Sequence, residues 1–155
     1  MEIERKFLIK ELPANIDDYE CRHIEQGYLN VKPAIRVRRD EDKYYMTYKG
    51  PGVLSHDEYN LPLDGDSFEH LITKADGIII RKRRYMIPDD RYDGRYTIEL
   101  DIFDEPIAPL ILAEVEFPTE EEAVAYTVPD WLGEDVTDDP QYSNARMSRR
   151  NDPTK

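Results

Sequence analysis

The sequence predicts a mainly β protein of the α+β class, and three features carry that prediction: charged–apolar alternation with a period of two, turn residues between the alternating runs, and few helical patterns. The first run is Glu2-Ile3-Glu4-Arg5-Lys6-Phe7-Leu8-Ile9, and residues 96–103 and 112–117 alternate as clearly. Each makes a strand with one wet and one dry face. Further strands are expected over 28–30, 35–40, 43–49, 57–61 and 78–87, about eight in all. Turn chemistry at Asp40-Glu41-Asp42, at Gly50-Pro51-Gly52 and from Pro88 to Gly94 separates them.

Three stretches read as helix. Residues 66–76 place Phe68, Leu71, Ile72 and Ala75 on one stripe, with Gly77 as the stop. Thr119-Glu120-Glu121-Glu122 has the form of a capping box and continues to Tyr126. A last helix is expected from Tyr142 or Ser143 towards Arg150, with 151–155 a frayed tail after a single domain of residues 1–150.

Composition narrows the function. The chain has 155 residues, with 21 Lys+Arg against 34 Asp+Glu and a net charge of −13. No stretch approaches the roughly 20 apolar residues that span a bilayer, and the charged N-terminus lacks a signal core. A cytoplasmic protein is expected, and lone Cys21 fits a reducing compartment. The acidic balance argues against nucleic acid and anionic membrane as partners. Yet the charge is uneven: residues 114–139 hold ten acids and no base, whereas Ile35-Arg36-Val37-Arg38-Arg39 and Arg81-Lys82-Arg83-Arg84 are strongly basic. Such contrast suits a small, highly charged anion in a pocket.

In a strand, residues i and i+2 share a face, about 7 Å apart. Like charges therefore pair in Glu2/Glu4, Arg36/Arg38, Lys82/Arg84, Glu99/Asp101 and Glu114/Glu116. Patterning alone fits an antiparallel sheet open to water on one face, but like-charge pairs call for counter-ions. Carboxylate pairs suit hard divalent cations, and guanidinium and ammonium groups suit phosphates.

Glu2-Ile3-Glu4-Arg5-Lys6 resembles the Glu-x-Glu-x-Lys signature of the CYTH superfamily, the triphosphate tunnel metalloenzymes. Its companions follow in the family's order: Arg36-Val37-Arg38, Tyr48-Lys49-Gly50, Glu58, Lys82-Arg83-Arg84-Tyr85, Glu99-Leu100-Asp101 and Glu114-Val115-Glu116. Glu134-Asp135-Val136-Thr137 and Tyr142-Ser143-Asn144 resemble the bacterial inorganic triphosphatase branch. The resemblance implies a closed eight-stranded antiparallel barrel with a charged lumen and helices packed outside. It implies that Glu2, Glu4, Glu114 and Glu116 hold Mg²⁺ or Mn²⁺, and that Lys6, Arg36, Arg38, Lys49, Lys82 and Arg84 grip the triphosphate. Lys6, Glu2 and Glu4 would carry catalysis, while Glu58, Glu99 and Asp101 complete the lumen. Where the family often has Glu-x-Glu, this chain reads Glu58-Tyr59-Asn60, one carboxylate fewer.

The expected activity is metal-dependent hydrolysis of a triphosphate, inorganic tripolyphosphate first, by a monomer or homodimer. Adenylate cyclase, thiamine triphosphatase and a non-catalytic polyphosphate- or nucleotide-binding module are the alternatives. An organic group would need an aromatic pocket, whereas Tyr44, Tyr45, Tyr85 and Tyr96 sit at strand positions where rings pack, and Trp131 stands alone. Arg81 and Arg83, of opposite parity to Lys82 and Arg84, are expected outside, paired with the acidic C-terminal region. His23, His56 and His70 show no ligand spacing and are read as surface or packing residues.

Overall fold

A computed structural model describes residues 1–149. Alternation becomes ten antiparallel strands: β1 (Glu2–Ile9), β2 (Glu20–Asn30), β3 (Ala34–Asp40), β4 (Lys43–Lys49), β5 (Ser55–His56), β6 (Glu58–Leu63), β7 (Asp76–Pro88), β8 (Thr97–Phe103), β9 (Ile111–Glu116) and β10 (Leu132–Asp135). Their order is β10-β1-β9-β8-β7-β2-β3-β4-β6. The ring comes nearly closed because β5, one residue from β6, pairs with β1 through Glu2↔His56 and Ile3↔Ser55. With β5 and β6 taken as one broken strand, eight strands make the circuit, and β10 is added to β1 through Phe7↔Asp135.

The dry face lies outside. Phe7, Tyr85, Ile87, Ile98, Leu100, Ala113 and Val115 project outwards from β1, β7, β8 and β9 and are buried with Phe117, Ala123 and Tyr126. Helix α2 (Glu120–Ala125) supplies Ala123 to this layer, and its N-cap Thr119 accepts from the Glu122 N–H at 3.1 Å, as the capping signature predicts. Glu122 turns its carboxylate to Tyr96 Oη at 2.6 Å, so the cap is stitched to the end of the barrel.

Helix α1 (Gly65–Ile72) is shorter than the expected 66–76. Asp64 caps it through the Ser67 N–H at 2.7 Å, and Phe68 is fully buried against the Tyr44 ring. Residues 73–75 turn back into β7, which claims Asp76 and Gly77. Gly27 in β2 permits that return, because a Cβ there would lie 2.7 Å from Ala75 Cβ.

Inside, the character of the wall changes along the axis. Parity places Leu8 beyond Lys6, Ile80 before Lys82, Phe103 beyond Asp101 and Leu112 before Glu114. Ile80, Phe103 and Leu112 are buried with Tyr28, Val136 and Met147, the last from α3 (Asn144–Met147). This apolar cluster fills one end of the barrel. Helix α3 is shorter than expected, and the frayed tail expected over 151–155 lies outside the described residues. No helix among the described residues is long and apolar enough to cross a membrane.

Candidate active site

The charged pairs converge on one cavity of about 1000 Å³. Lys6, Arg36, Arg38, Lys49 and Arg84 line it, together with Glu2, Glu4, Glu58, Glu99, Glu114 and Glu116. Register explains the meeting: Glu4 lies opposite Glu116, Lys6 opposite Glu114, Arg84 opposite Asp101, Glu99 opposite Glu114, and Lys49 opposite Glu58.

Two expected lumen residues stand a layer back. Lys82 and Asp101 do not line the cavity; they are 2% and 1% exposed and paired at 2.8 Å. Asp101 also takes both arms of Arg84, at 2.7 and 2.9 Å. Burial first, then the Arg84 and Arg38 guanidiniums, push Lys82 down to about 7 against the pull of Asp101. Asp101 is itself held below the usual carboxylate range, Arg84 and Lys82 outweighing the cost of burial. Lys82 thus acts as an internal counter-ion, with no direct path to a guest in the cavity.

At the mouth of β1, Lys49 Nζ sits 2.8 Å from Glu2 and 3.4 Å from Glu4. Burial would raise Glu2, but the hydrogen bond from His56 and the charge of Lys49 hold it well below its ordinary value. Glu4 moves the other way, raised by burial and by Glu114. Glu114 stays ionised despite burial, because Lys6, Arg84 and Lys82 surround it. Glu116 reaches water at the rim, yet enclosure by the walls and then Glu99 and Glu2 push it up to about 7. Crowded carboxylates of this kind are what a divalent cation relieves, and the donor atoms of Glu2, Glu4 and His56 lie within 4.8 Å of one another. Those residues fit a metal.

Several site residues were not foreseen. Gln26 accepts from Arg38 Nε at 2.6 Å and donates to Asn144 at 3.1 Å, and Asn144 also accepts from Lys82 at 3.2 Å. This chain of contacts fixes Arg38 to α3. Their signal is faint, since residues 20–27 lack clean alternation and an amide carries no charge to notice. His56, read as a surface or packing residue, faces the cavity with Nε2 3.2 Å from Glu2. Asn60, where a second carboxylate was missing, takes the Thr47 hydroxyl at 2.6 Å. Arg81 is outside as expected, but its partner is Glu25 on β2 at 2.9 Å, and Arg83 donates to Tyr85 Oη at 3.1 Å. Neither reaches the acidic C-terminal segment, because β2 is longer than expected and brings its own acid alongside β7.

The CYTH domain family matches residues 1–143. The chain belongs to the CYTH domain family. It is 37% identical over 152 residues to an inorganic triphosphatase of Nitrosomonas europaea, covering 95% of this chain and 96% of that protein. A second inorganic triphosphatase, from Acetivibrio thermocellus, is 33% identical across 94% of this chain and 92% of its own length. The crystal structure of the inorganic triphosphatase NE1496 superposes with a TM-score of 0.70 at 35% identity, covering 96% of this chain and 94% of that one. A CYTH barrel accounts for the inward charges: ring closure turns what an open sheet would give to water into the wall of a cavity.

Proposed function

We propose that this CYTH protein hydrolyses inorganic tripolyphosphate to orthophosphate and pyrophosphate with a divalent metal, residues 1–150 acting as one unit. The observation that carries this is the convergence of Lys6, Arg36, Arg38, Lys49 and Arg84 on the same cavity as Glu2, Glu4 and Glu114. Cations in that number suit phosphoryl oxygens, and carboxylates beside them suit a cation that accompanies the substrate. The relatives named inorganic triphosphatase support the choice of substrate.

Arg36 and Arg38, neighbours on one face of β3, present guanidinium forks to adjacent phosphoryl groups. Arg36 Nε is shielded and has no hydrogen-bond partner, a donor that a phosphoryl oxygen satisfies. Arg38 is braced by Gln26 and Arg84 by Asp101, so both are set before substrate arrives. Lys6 Nζ donates to the Tyr142 carbonyl at 3.0 Å and faces Glu114 at 3.9 Å, which fixes an ammonium beside the metal-binding carboxylates. Mg²⁺ or Mn²⁺ held by Glu2 and Glu4, with Glu114 and Glu116 alongside, supplies charge neutralisation and water activation when bound. Glu2, held ionised by His56 and Lys49, and Glu4, crowded by Glu114, are the carboxylates nearest to where the attacking water would sit.

Trp131 packs against the outer core and contributes no wall to the cavity, but Tyr28, Tyr45 and Tyr48 do line it, Tyr45 against the expectation of a packing ring. The choice of an inorganic guest therefore rests on the relatives named inorganic triphosphatase. The deciding experiment compares phosphate release from tripolyphosphate, thiamine triphosphate and ATP, with cyclic AMP measured alongside. Tripolyphosphate is expected to be the best substrate by kcat/KM, and a preference for either organic triphosphate overturns the assignment. Lys6→Ala and Glu114→Ala are expected to lower kcat by about 10²-fold or more with cooperative melting retained. Unchanged turnover in either removes that residue from the chemistry.

A further inference from the structure

His56 is the one histidine whose ring meets the metal-binding carboxylates. Its side chain is only 10% exposed, and its Nε2 lies 3.2 Å from Glu2 Oε1 and 3.9 Å from Glu4 Oε1. His23, by contrast, is 72% exposed and bound to Glu41 on the outside of the barrel. The placement follows from pairing. Strand β5 is two residues long and lies opposite the start of β1, with Glu2 directly across from His56. Backbone contacts hold that register: the Glu4 N–H donates to the Leu54 carbonyl at 3.1 Å, and the Gly50 N–H donates to the Asp57 carbonyl at 2.8 Å. Glu58, which lines the same cavity, presents an Oε2 that is shielded and without a hydrogen-bond partner.

We propose that His56 is a third protein ligand of the metal held by Glu2 and Glu4, giving a mixed nitrogen and oxygen site that favours first-row transition dications over Mg²⁺. The inference rests on the proposed function for the position of the metal and goes beyond it in the ligand set and the ion. Carboxylate and water are the natural ligands of Mg²⁺, whereas imidazole adds affinity for Mn²⁺, Co²⁺ and Zn²⁺ along the usual divalent order. The donor atoms of the three residues already lie within 4.8 Å of one another, so one ion reaches all three with small side-chain movements. Nε2 lies on the side of the ring that faces Glu2 Oε1, at 3.2 Å; as a ligand the ring would carry its proton on Nδ1 and offer the Nε2 lone pair. Lys49 Nζ, which neutralises both carboxylates, moves from them towards the triphosphate as the ion takes its place.

The test is metal binding without substrate. Electron spin-echo spectroscopy of Mn²⁺ bound to the wild-type chain, with the histidines alone labelled with ¹⁵N, is expected to show histidine-nitrogen coupling. The coupling should vanish in His56→Gln and persist in a variant lacking both His23 and His70. By calorimetry, His56→Gln and His56→Ala are expected to weaken Co²⁺ binding by about tenfold or more while leaving Mg²⁺ within about twofold. Lys49→Met is expected to tighten both ions. Absence of histidine coupling in the wild-type protein overturns the proposal whether or not the variants fold. Equal Co²⁺ affinity in His56→Gln, with binding abolished in Glu4→Gln, overturns the ligand role of His56 and leaves the carboxylate site standing. Binding unchanged in Glu4→Gln as well overturns both.

Discussion

Asp101 is where the charge balance of the wall is decided. One carboxylate, 1% exposed, answers two cations, Lys82 at 2.8 Å and Arg84 at 2.7 Å. Removing one partner of such a buried group leaves charge with nothing to offset it, at a cost of about 3–5 kcal/mol. Lys82 modifies that outcome because its proton is weakly held. Its pKa of about 7 lies below the ordinary 10.5, so between those values the unfolded chain binds more protons than the folded one, and this group's contribution to stability rises with pH. Asp101→Asn deepens the depression by removing the carboxylate that favours the charged form. The variant is therefore expected to lose more stability at pH 6, where the wild-type chain gains from a charged Lys82 beside Asp101 and the variant does not, than at pH 9, where Lys82 is neutral in both. Urea melts at the two pH values check this, and an equal loss at both would mean that Lys82 is charged throughout.

Among the elements, β1 does the most, and its two faces are legible from the first eight alternating residues. The inner face supplies Glu2, Glu4 and Lys6, while the outer face supplies Phe7, fully buried in the core. Arg5, also outward, donates to the carbonyls of Ala123 and Tyr126 at 2.9 and 3.2 Å and pairs with Asp135. A single guanidinium thus caps the C-terminal end of α2 and ties β10 to β1. Phe7→Ala is expected to cost about 3–5 kcal/mol through lost burial and the cavity it leaves. Thr119→Ala, which removes the N-cap of α2, is expected to cost about 1 kcal/mol. Equal losses in chemical denaturation would contradict the placement of Phe7 in the core and Thr119 at its edge. Alternation makes β1, β8 and β9 readable because each strand has one charged and one apolar face. It fails for β10, whose Leu-Gly-Glu-Asp has too few residues to alternate, and for residues 20–27 of β2, where His23, Gln26 and Gly27 break the pattern. The Gln26–Asn144 contact was out of reach for a further reason: it joins positions 118 residues apart through two neutral amides.

For the whole molecule, the net charge of −13 makes the cavity's own balance the quantity that governs binding. Along its full wall and mouth, eight Lys and Arg residues face nine Asp and Glu residues, so the cavity is near neutral and not a basic trap. A triphosphate brings about four to five negative charges near neutral pH, given a terminal phosphoryl pKa of about 6. Entering alone, it would have to break Lys49 away from Glu2 and Glu4 and leave those carboxylates facing its oxygens. A dication entering alone meets the opposite difficulty, since Lys49 occupies the carboxylates. Each guest would remove the obstacle to the other: the metal would free Lys49, and the triphosphate would receive it. Metal and tripolyphosphate are therefore expected to bind with positive coupling, each tightening the other by the same factor, about tenfold or more. Calorimetric titration of tripolyphosphate with EDTA, with Mg²⁺ and with Mn²⁺, using an Lys6→Ala variant to slow turnover, measures that factor, provided the metal's affinity for free tripolyphosphate is determined separately. Equal affinity with and without metal would mean that the cations of the wall suffice and that Lys49 does not exchange between the carboxylates and the substrate.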